Sequence, residues 1–190
     1  MKTFVAAAAG LLATLGTAHA ETATYTVDPT HTFVSFEVAH FGTSINRGRW
    51  DKKEGTVQFD RAAKTGRVEI TIDMASINSG VAPFDNHLKS KDFFNAAEHP
   101  TAKFVGDRFI FNGDKVAAVE GTLTMLGKSQ PVTLKANQFN CYTNPIFKRE
   151  VCGGDFEATI QPTLWGISTY IPMVAPDKVR LVVQVEAIKQ

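Results

Sequence analysis

The sequence predicts a mainly β protein, an antiparallel barrel of about eight strands with one short helical insert between strands. Three observations carry this. Segments in which apolar and polar residues alternate recur along almost the whole chain after residue 20, the period of a strand with one buried face. Turn residues such as Asn112-Gly113-Asp114 separate them. One stretch alone, Asp85 to Phe104, neither alternates nor reads as a hairpin turn.

The first twenty residues carry one cation, Lys2, then an apolar run from Phe4 to Leu15 and Ala18-His19-Ala20. This is the pattern of a cleaved secretory signal peptide, and the run is too short for a membrane-spanning helix. The expected mature chain starts at Glu21, is exported, and carries 19 basic against 19 acidic groups once Lys2 is removed from the totals of 20 and 19. A nucleic-acid binder should show a basic surplus or stripe, so that class is excluded. Residues 21–190 fit one domain with a sizeable core.

Val34, Phe36 and Val38 alternate with Ser35, Glu37 and Ala39, predicting a strand from His31 to His40 with His40 on its apolar face. Phe41-Gly42 breaks it. A second strand is expected from Arg47 to Phe59, carrying Trp50, Val57 and Phe59, with a bulge near Lys52 to Gly55. After a turn over Asp60 to Gly66, Val68, Ile70, Ile72 and Met74 alternate without a miss. In the central stretch Leu88, Phe93 and Phe94 predict two helical turns, Phe84 to Lys89 and Lys91 to Ala96, the second capped by Ser90 with Asp92 in favourable charge, and Pro100 ends the segment.

Lys103 to Phe111, Val119 to Met125 and Val132 to Ala136 continue the strands, with a turn expected over Leu126 to Gln130. Cys141 and Cys152 flank a loop containing Asn144-Pro145. In an oxidising compartment their pairing is expected, worth roughly 3 kcal/mol, with two buried free thiols as the alternative. Phe156, Ala158 and Ile160 share a face, Pro162 to Asp177 is irregular, and Val179 to Ala187 is a strand with five apolar residues on one face. Amphipathic strands of this number either stack or close, and closure is favoured because it leaves no exposed edge at Val179 to Ala187. A barrel of eight strands holds packed side chains or one small ligand.

Chemical motifs are sparse. Gly121 to Ser129 approaches a phosphate-binding loop, but five residues separate the glycines and a strand follows where a helix is needed. His31 and His40 are nine residues apart, an odd spacing that puts them on opposite faces of one strand. Neither they nor His87 and His99 form a metal-ligand pattern, so no metal is expected. No nucleophile elbow or carboxylate pair stands out, and Asp28-Pro29 and Asp85-Asn86 suit turns or caps, so no catalytic residue is assigned. His40 suits either a core histidine with one hydrogen bond or a polar group orienting a ligand head. The abundant phenylalanines either fill a core or line an apolar lumen.

The chain from Tyr25 to Lys189 resembles the YceI-like family of exported lipid-binding proteins. The resemblance rests on Thr26-Val27-Asp28 with His31, Phe36 to Gly42, Arg47-Gly48-Arg49-Trp50, the block His87 to Phe94, His99 to Phe104, Gly121 to Thr124 and Pro131 to Leu134. It implies an extended lipocalin-like barrel whose apolar tunnel holds a polyisoprenoid, an isoprenoid quinone or a related amphiphile, with no catalytic residue and no other cofactor. Trp50 stands where phenylalanine is more usual, which would narrow the lumen, and the segment around Cys141 and Cys152 is a sub-group feature. With this fold, Val34, Phe36, Val38, Trp50, Phe104, Leu123, Leu134 and Leu181 are the expected lining, and His40 the residue that sets head-group preference. The implied role is a periplasmic carrier or store. The alternative is an exported enzyme acting on such a lipid, with the histidines or Asp85 as acid–base groups. The expected partners are the lipid, the membrane only during ligand exchange, and a second copy of the chain in a homodimer.

Overall fold

A computed structural model describes residues 22–190; the expected signal peptide and the cleavage point lie outside the described residues. Eleven strands run antiparallel: β1 Ala23–Val27, β2 Phe33–His40, β3 Ser44–Trp50, β4 Lys53–Asp60, β5 Thr65–Asp73, β6 Ile77–Asn78, β7 Thr101–Asn112, β8 Lys115–Met125, β9 Lys128–Thr143, β10 Glu150–Ile160 and β11 Val179–Lys189. They form one sheet that closes on itself, because β1 pairs with β4 on one side and β11 on the other.

The eight positions of the barrel emerge once broken strands are joined. β1 pairs with the end of β11 (Thr26 opposite Ile188) and β2 with its start (Val34 opposite Val183), so β1 and β2 are two halves of one strand position. β4 faces β1 and β3 faces β2, so they form a second. β5 and β6 form a third, and β7 to β11 supply one each.

Each break has a local cause. Between β1 and β2, the Asp28 carboxylate accepts from the Thr30 amide at 2.8 Å and the Thr30 hydroxyl at 2.6 Å, with His31 Nδ1 at 2.7 Å. This turns the chain, and the strand expected from His31 begins at Phe33 instead. The buried Thr32 hydroxyl ties the bend to Glu186 of β11. The single strand expected over Arg47 to Phe59 is divided, not bulged: Asp51 and Lys52 leave the ladder, and Asp51 accepts from Arg49 and Asn78. Between β5 and β6, Asp73 caps a 3-10 turn at Met74–Ser76 by accepting from the Ala75 amide.

The helix α1 covers Ala82–Lys89, longer at its start than the expected Phe84 to Lys89. Pro83 sits in the first turn, where its missing N–H costs nothing. The second expected helical piece, Lys91 to Ala96, is a series of turns: the Phe93 and Asn95 amides both donate to the Ser90 carbonyl, and Asn95 at φ 41° cannot continue a right-handed helix. The turn expected over Leu126 to Gln130 is only Leu126-Gly127, with Met125 opposite Lys128; both turn residues have positive φ, the conformation that matches strand twist in a two-residue hairpin. The irregular loop between the cysteines is likewise short, 144–149, because β9 and β10 continue to Thr143 and from Glu150.

On the outer wall, Arg180 bonds Glu157 and Glu37, and Glu37 also accepts from Arg47 at 2.8 Å. The arginines hold both carboxyls below the ordinary range. These charges are exposed and orient neighbouring strands more than they stabilise them.

Candidate functional site

Inside the barrel, the inward faces of the strands meet differently at the two ends. At the end where β1 meets β4 and β9 meets β10, Phe59 is buried among Phe109, Phe111, Phe139 and Tyr25, with ring centroids 5.8 to 6.4 Å away. Tyr25 donates to Glu150 at 2.6 Å, and burial together with that carboxylate pushes its phenol well above the ordinary range. Cys141 and Cys152 face each other across β9 and β10 and are bonded, with Cα atoms 4.1 Å apart. Only a cavity of about 70 Å³ remains at this end.

The other end holds a cavity of about 410 Å³. Three elements enlarge the barrel here. β6 contributes only two residues to the sheet, so α1 and the turns after it, not strand pairing, span the gap between β6 and β7. Leu88 of α1 is buried and packs with Phe84, Phe93 and Phe94 on the core. The segment between β10 and β11 folds over the third side: Trp165 is 2% exposed and its indole N–H donates to the Leu123 carbonyl at 3.1 Å.

The wall is mainly apolar, with one buried polar group that has no partner among the described residues, the indole N–H of Trp50. Phe36 lies 5.4 Å from Trp50, and Trp50 meets Phe94 edge-on at 5.6 Å. The Phe36 ring rests on Gly48 directly opposite; a Cβ there would stand 2.6 Å from it. Polar side chains on the wall gather at the rim: His40 and Asn46 at the ends of β2 and β3, His87 on α1, and Thr169 and Tyr170 in the covering segment. Phe41 and Tyr170 line the cavity while 63% and 49% exposed, so it reaches solvent here. The structure therefore offers a mainly apolar pocket with hydrogen-bonding side chains at its mouth.

Val34, Phe36, Val38, His40, Trp50, Leu123 and Leu181 all fall on the wall of the large cavity. Phe104 and Leu134, expected on the same lining, stand on the smaller one, because the lumen is divided between them. Asp85 is absent from either wall; it accepts from the Ser79 amide and hydroxyl at 2.7 and 2.6 Å and fixes the approach to α1. Among the described residues, no three of His, Cys, Asp and Glu gather as a cation site. The lining from α1 and from Ile167 to Pro176 was missed by alternation, since neither segment has a period of two. The aromatic and aliphatic content of Trp165 to Val174 in a nominal loop was the available signal.

A family model described as the YceI-like domain matches residues 25–187. A UPF0312 protein of Pseudomonas putida is 33% identical over all of this chain and 98% of its own length, and a UPF0312 protein of Pseudomonas aeruginosa is 34% identical with the same coverage. Among solved structures, BcnA of Burkholderia cenocepacia superposes with a TM-score of 0.71 at 25% identity, over 84% of this chain and 98% of that one. A polyisoprenoid binding domain from Saccharophagus degradans shares the fold, with a TM-score of 0.64 at 14% identity over 90% of this chain and all of that one. Matching motif, length and closed barrel together, the chain belongs to the YceI-like family.

Proposed function

We propose that the protein binds a polyisoprenoid or a related amphiphile such as an isoprenoid quinone, with its chain in the large cavity and its head at the rim, and acts as a periplasmic carrier or store. One observation carries the reading: an apolar cavity of about 410 Å³ that opens to solvent beside Phe41 and Tyr170, with the indole N–H of Trp50 as a buried polar group of its wall that has no partner among the described residues. Each methylene moved from water to such a wall gains about 0.8 kcal/mol, so a few isoprene units supply most of a strong affinity and leave His40, Asn46 and His87 to select the head. The shared fold of the polyisoprenoid binding domain from Saccharophagus degradans supports this reading. The paired cysteines and the leader-like residues 1–20 suit an oxidising compartment outside the cytoplasm. Contact with a membrane serves loading and release, and a homodimer belongs to the same reading.

The test is organic extraction of protein purified from its native compartment, followed by mass spectrometry, with the same protein incubated with the recovered lipid. One amphiphile near one per chain, recovered unchanged, is the expected result. A chain that never carries an amphiphile overturns the binding role, and a modified lipid after incubation overturns the carrier in favour of an enzyme.

A further inference from the structure

Two segments frame the mouth of the large cavity: the hairpin tip 41–46 between β2 and β3, and the covering segment 167–176 between β10 and β11. They are joined into one rim. The Phe41 amide donates to the Val174 carbonyl at 2.7 Å, and the Thr169 hydroxyl donates to the Asp92 carbonyl at 2.8 Å, which ties the rim to the turns after α1. The Val174 amide donates to the Tyr170 carbonyl at 2.8 Å, closing a turn that leaves Met173 78% exposed. Phe41, Ile45 and Tyr170 are the other exposed large apolar side chains of the rim. Neither segment contains an Asp, Glu, Lys or Arg, in a chain where 21% of residues are of those kinds. The exposed apolar side chains of the closed end are differently placed: Ile146, 87% exposed, and Phe147 adjoin Lys148 and Arg149, and the Arg149 guanidinium lies over the Phe147 ring.

Resting on the carrier reading above, we infer that this rim is a membrane-docking collar. Phe41, Ile45, Tyr170 and Met173 enter the interfacial zone of a bilayer and set the cavity mouth against it, so that the lipid passes between bilayer and lumen without crossing water. Three observations select a lipid surface. The collar is continuous with the opening, since Phe41 and Tyr170 line the cavity as well as facing solvent. Its composition suits the interface: apolar side chains for the acyl boundary, the Tyr170 ring with Asn46 and Thr169 for the head-group level, and no charged group to desolvate. It is also small. A second copy of the chain would need roughly 20 to 30 residues a side, more than the two segments contain, whereas insertion to a depth of about 5 to 10 Å needs only a few apolar side chains. Because no Lys or Arg belongs to the collar, docking does not depend on anionic lipid.

The experiment floats the mature protein with phosphatidylcholine vesicles, with and without phosphatidylglycerol, and follows the uptake of geranylgeraniol carried in the same vesicles. Wild-type protein should float equally with both compositions. Met173→Glu and Ile45→Glu should each lower vesicle partition by roughly tenfold or more and slow uptake in parallel, with the geranylgeraniol bound at equilibrium unchanged, since neither residue lines the cavity. Met173→Ser, which serves if a glutamate variant fails to fold, should lower partition by less. Ile146→Glu, at the closed end, should change neither reading. Wild-type protein that takes up geranylgeraniol without floating, or that floats only with phosphatidylglycerol, overturns the collar while the carrier reading stands. An equal loss from Ile146→Glu, or a dimer in solution that Met173→Glu dissociates, does the same. A wild-type protein that takes up no geranylgeraniol overturns the carrier reading and the collar together.

Discussion

The two ends of this barrel are built from the same alternating strands, yet one is filled and the other hollow. At the filled end, Phe59 is 4% exposed inside a ring of aromatics, and β4, β5, β9 and β10 pair without a helix between them. At the hollow end, Phe36, Trp50 and Phe94 are as aromatic, but they border about 410 Å³ of space. The difference lies in strand continuity. Three strand positions break at residues 28–32, 51–52 and 74–76, and the wall beyond the third break is completed by a helix and a loop, which reach farther from the axis than a strand would. Alternation decides which side chains point inward; the breaks decide whether they meet.

The sharpest way to test this contrast is to truncate one inward side chain at each end. Phe59→Ala should cost about 3 to 5 kcal/mol, as for a fully packed aromatic, whereas Leu181→Ala should cost about 2 kcal/mol or less, because its neighbours already border a void. Denaturant melts check both, and equal costs would erase the distinction. Next in size, reduction of Cys141–Cys152 should lower stability by up to about 3 kcal/mol while co-purified lipid per folded chain stays the same. Loss of lipid in the reduced, folded protein would join the two ends functionally.

A smaller effect is expected at Gly48. Alanine there drives the Phe36 ring off its seat and into the large cavity, costing about 1 kcal/mol and reducing lipid occupancy. A folded Gly48→Ala protein with unchanged occupancy would show that the ring yields elsewhere.

The smallest effect concerns the bend between β1 and β2. Burial raises the Asp28 carboxyl, but bonds from His31 and Thr30 outweigh it and hold it at about 2 against an ordinary 3.8; the same contact raises His31 above its ordinary 6.5. The carboxylate supports the fold above pH 3.8 and loses that support as pH falls through 2. The imidazolium supports it below pH 6.5 and loses that as pH rises through its raised value. Their joint contribution is greatest between 3.8 and 6.5. In an NMR titration, Asp28→Asn should bring His31 back toward 6.5; an unchanged midpoint would remove Asp28 as the cause.

Much of the barrel was legible in the sequence because burial on one face writes itself as a period of two: Val68, Ile70 and Ile72 are buried as their alternation requires. The position of Val179 to Ala187 inside a closed sheet followed from the cost of an exposed apolar edge. The break at Asp51-Lys52 was hidden, since polar residues at a strand break look like those on an outward face or a bulge. The turns over Lys91 to Ala96 were hidden as well, because Asn95 adopts a left-handed conformation that composition does not announce. Of the site, the strand residues were legible and the helix and loop lining was not. The separation of Phe104 and Leu134 from the rest depends on how the inward side chains pack in three dimensions, which no one-dimensional pattern records.

The closure of β1 onto β11 also governs the order in which the protein can be made. The first strand waits for the last, so no ring of hydrogen bonds exists until Val179–Lys189 has joined β10, β2 and β1. Until then the chain is an open curl with two unsatisfied edges and its apolar face accessible, a slow, long-range closure of the kind that exposes intermediates to aggregation. A lipid chain captured at that stage would serve as a template around which the sheet wraps, and an unfilled chain would linger longer as a curl. Refolding in the presence of the amphiphile should therefore accelerate the final phase, with no change in the earlier formation of the β7–β8 and β8–β9 hairpins, whose partners are adjacent in sequence.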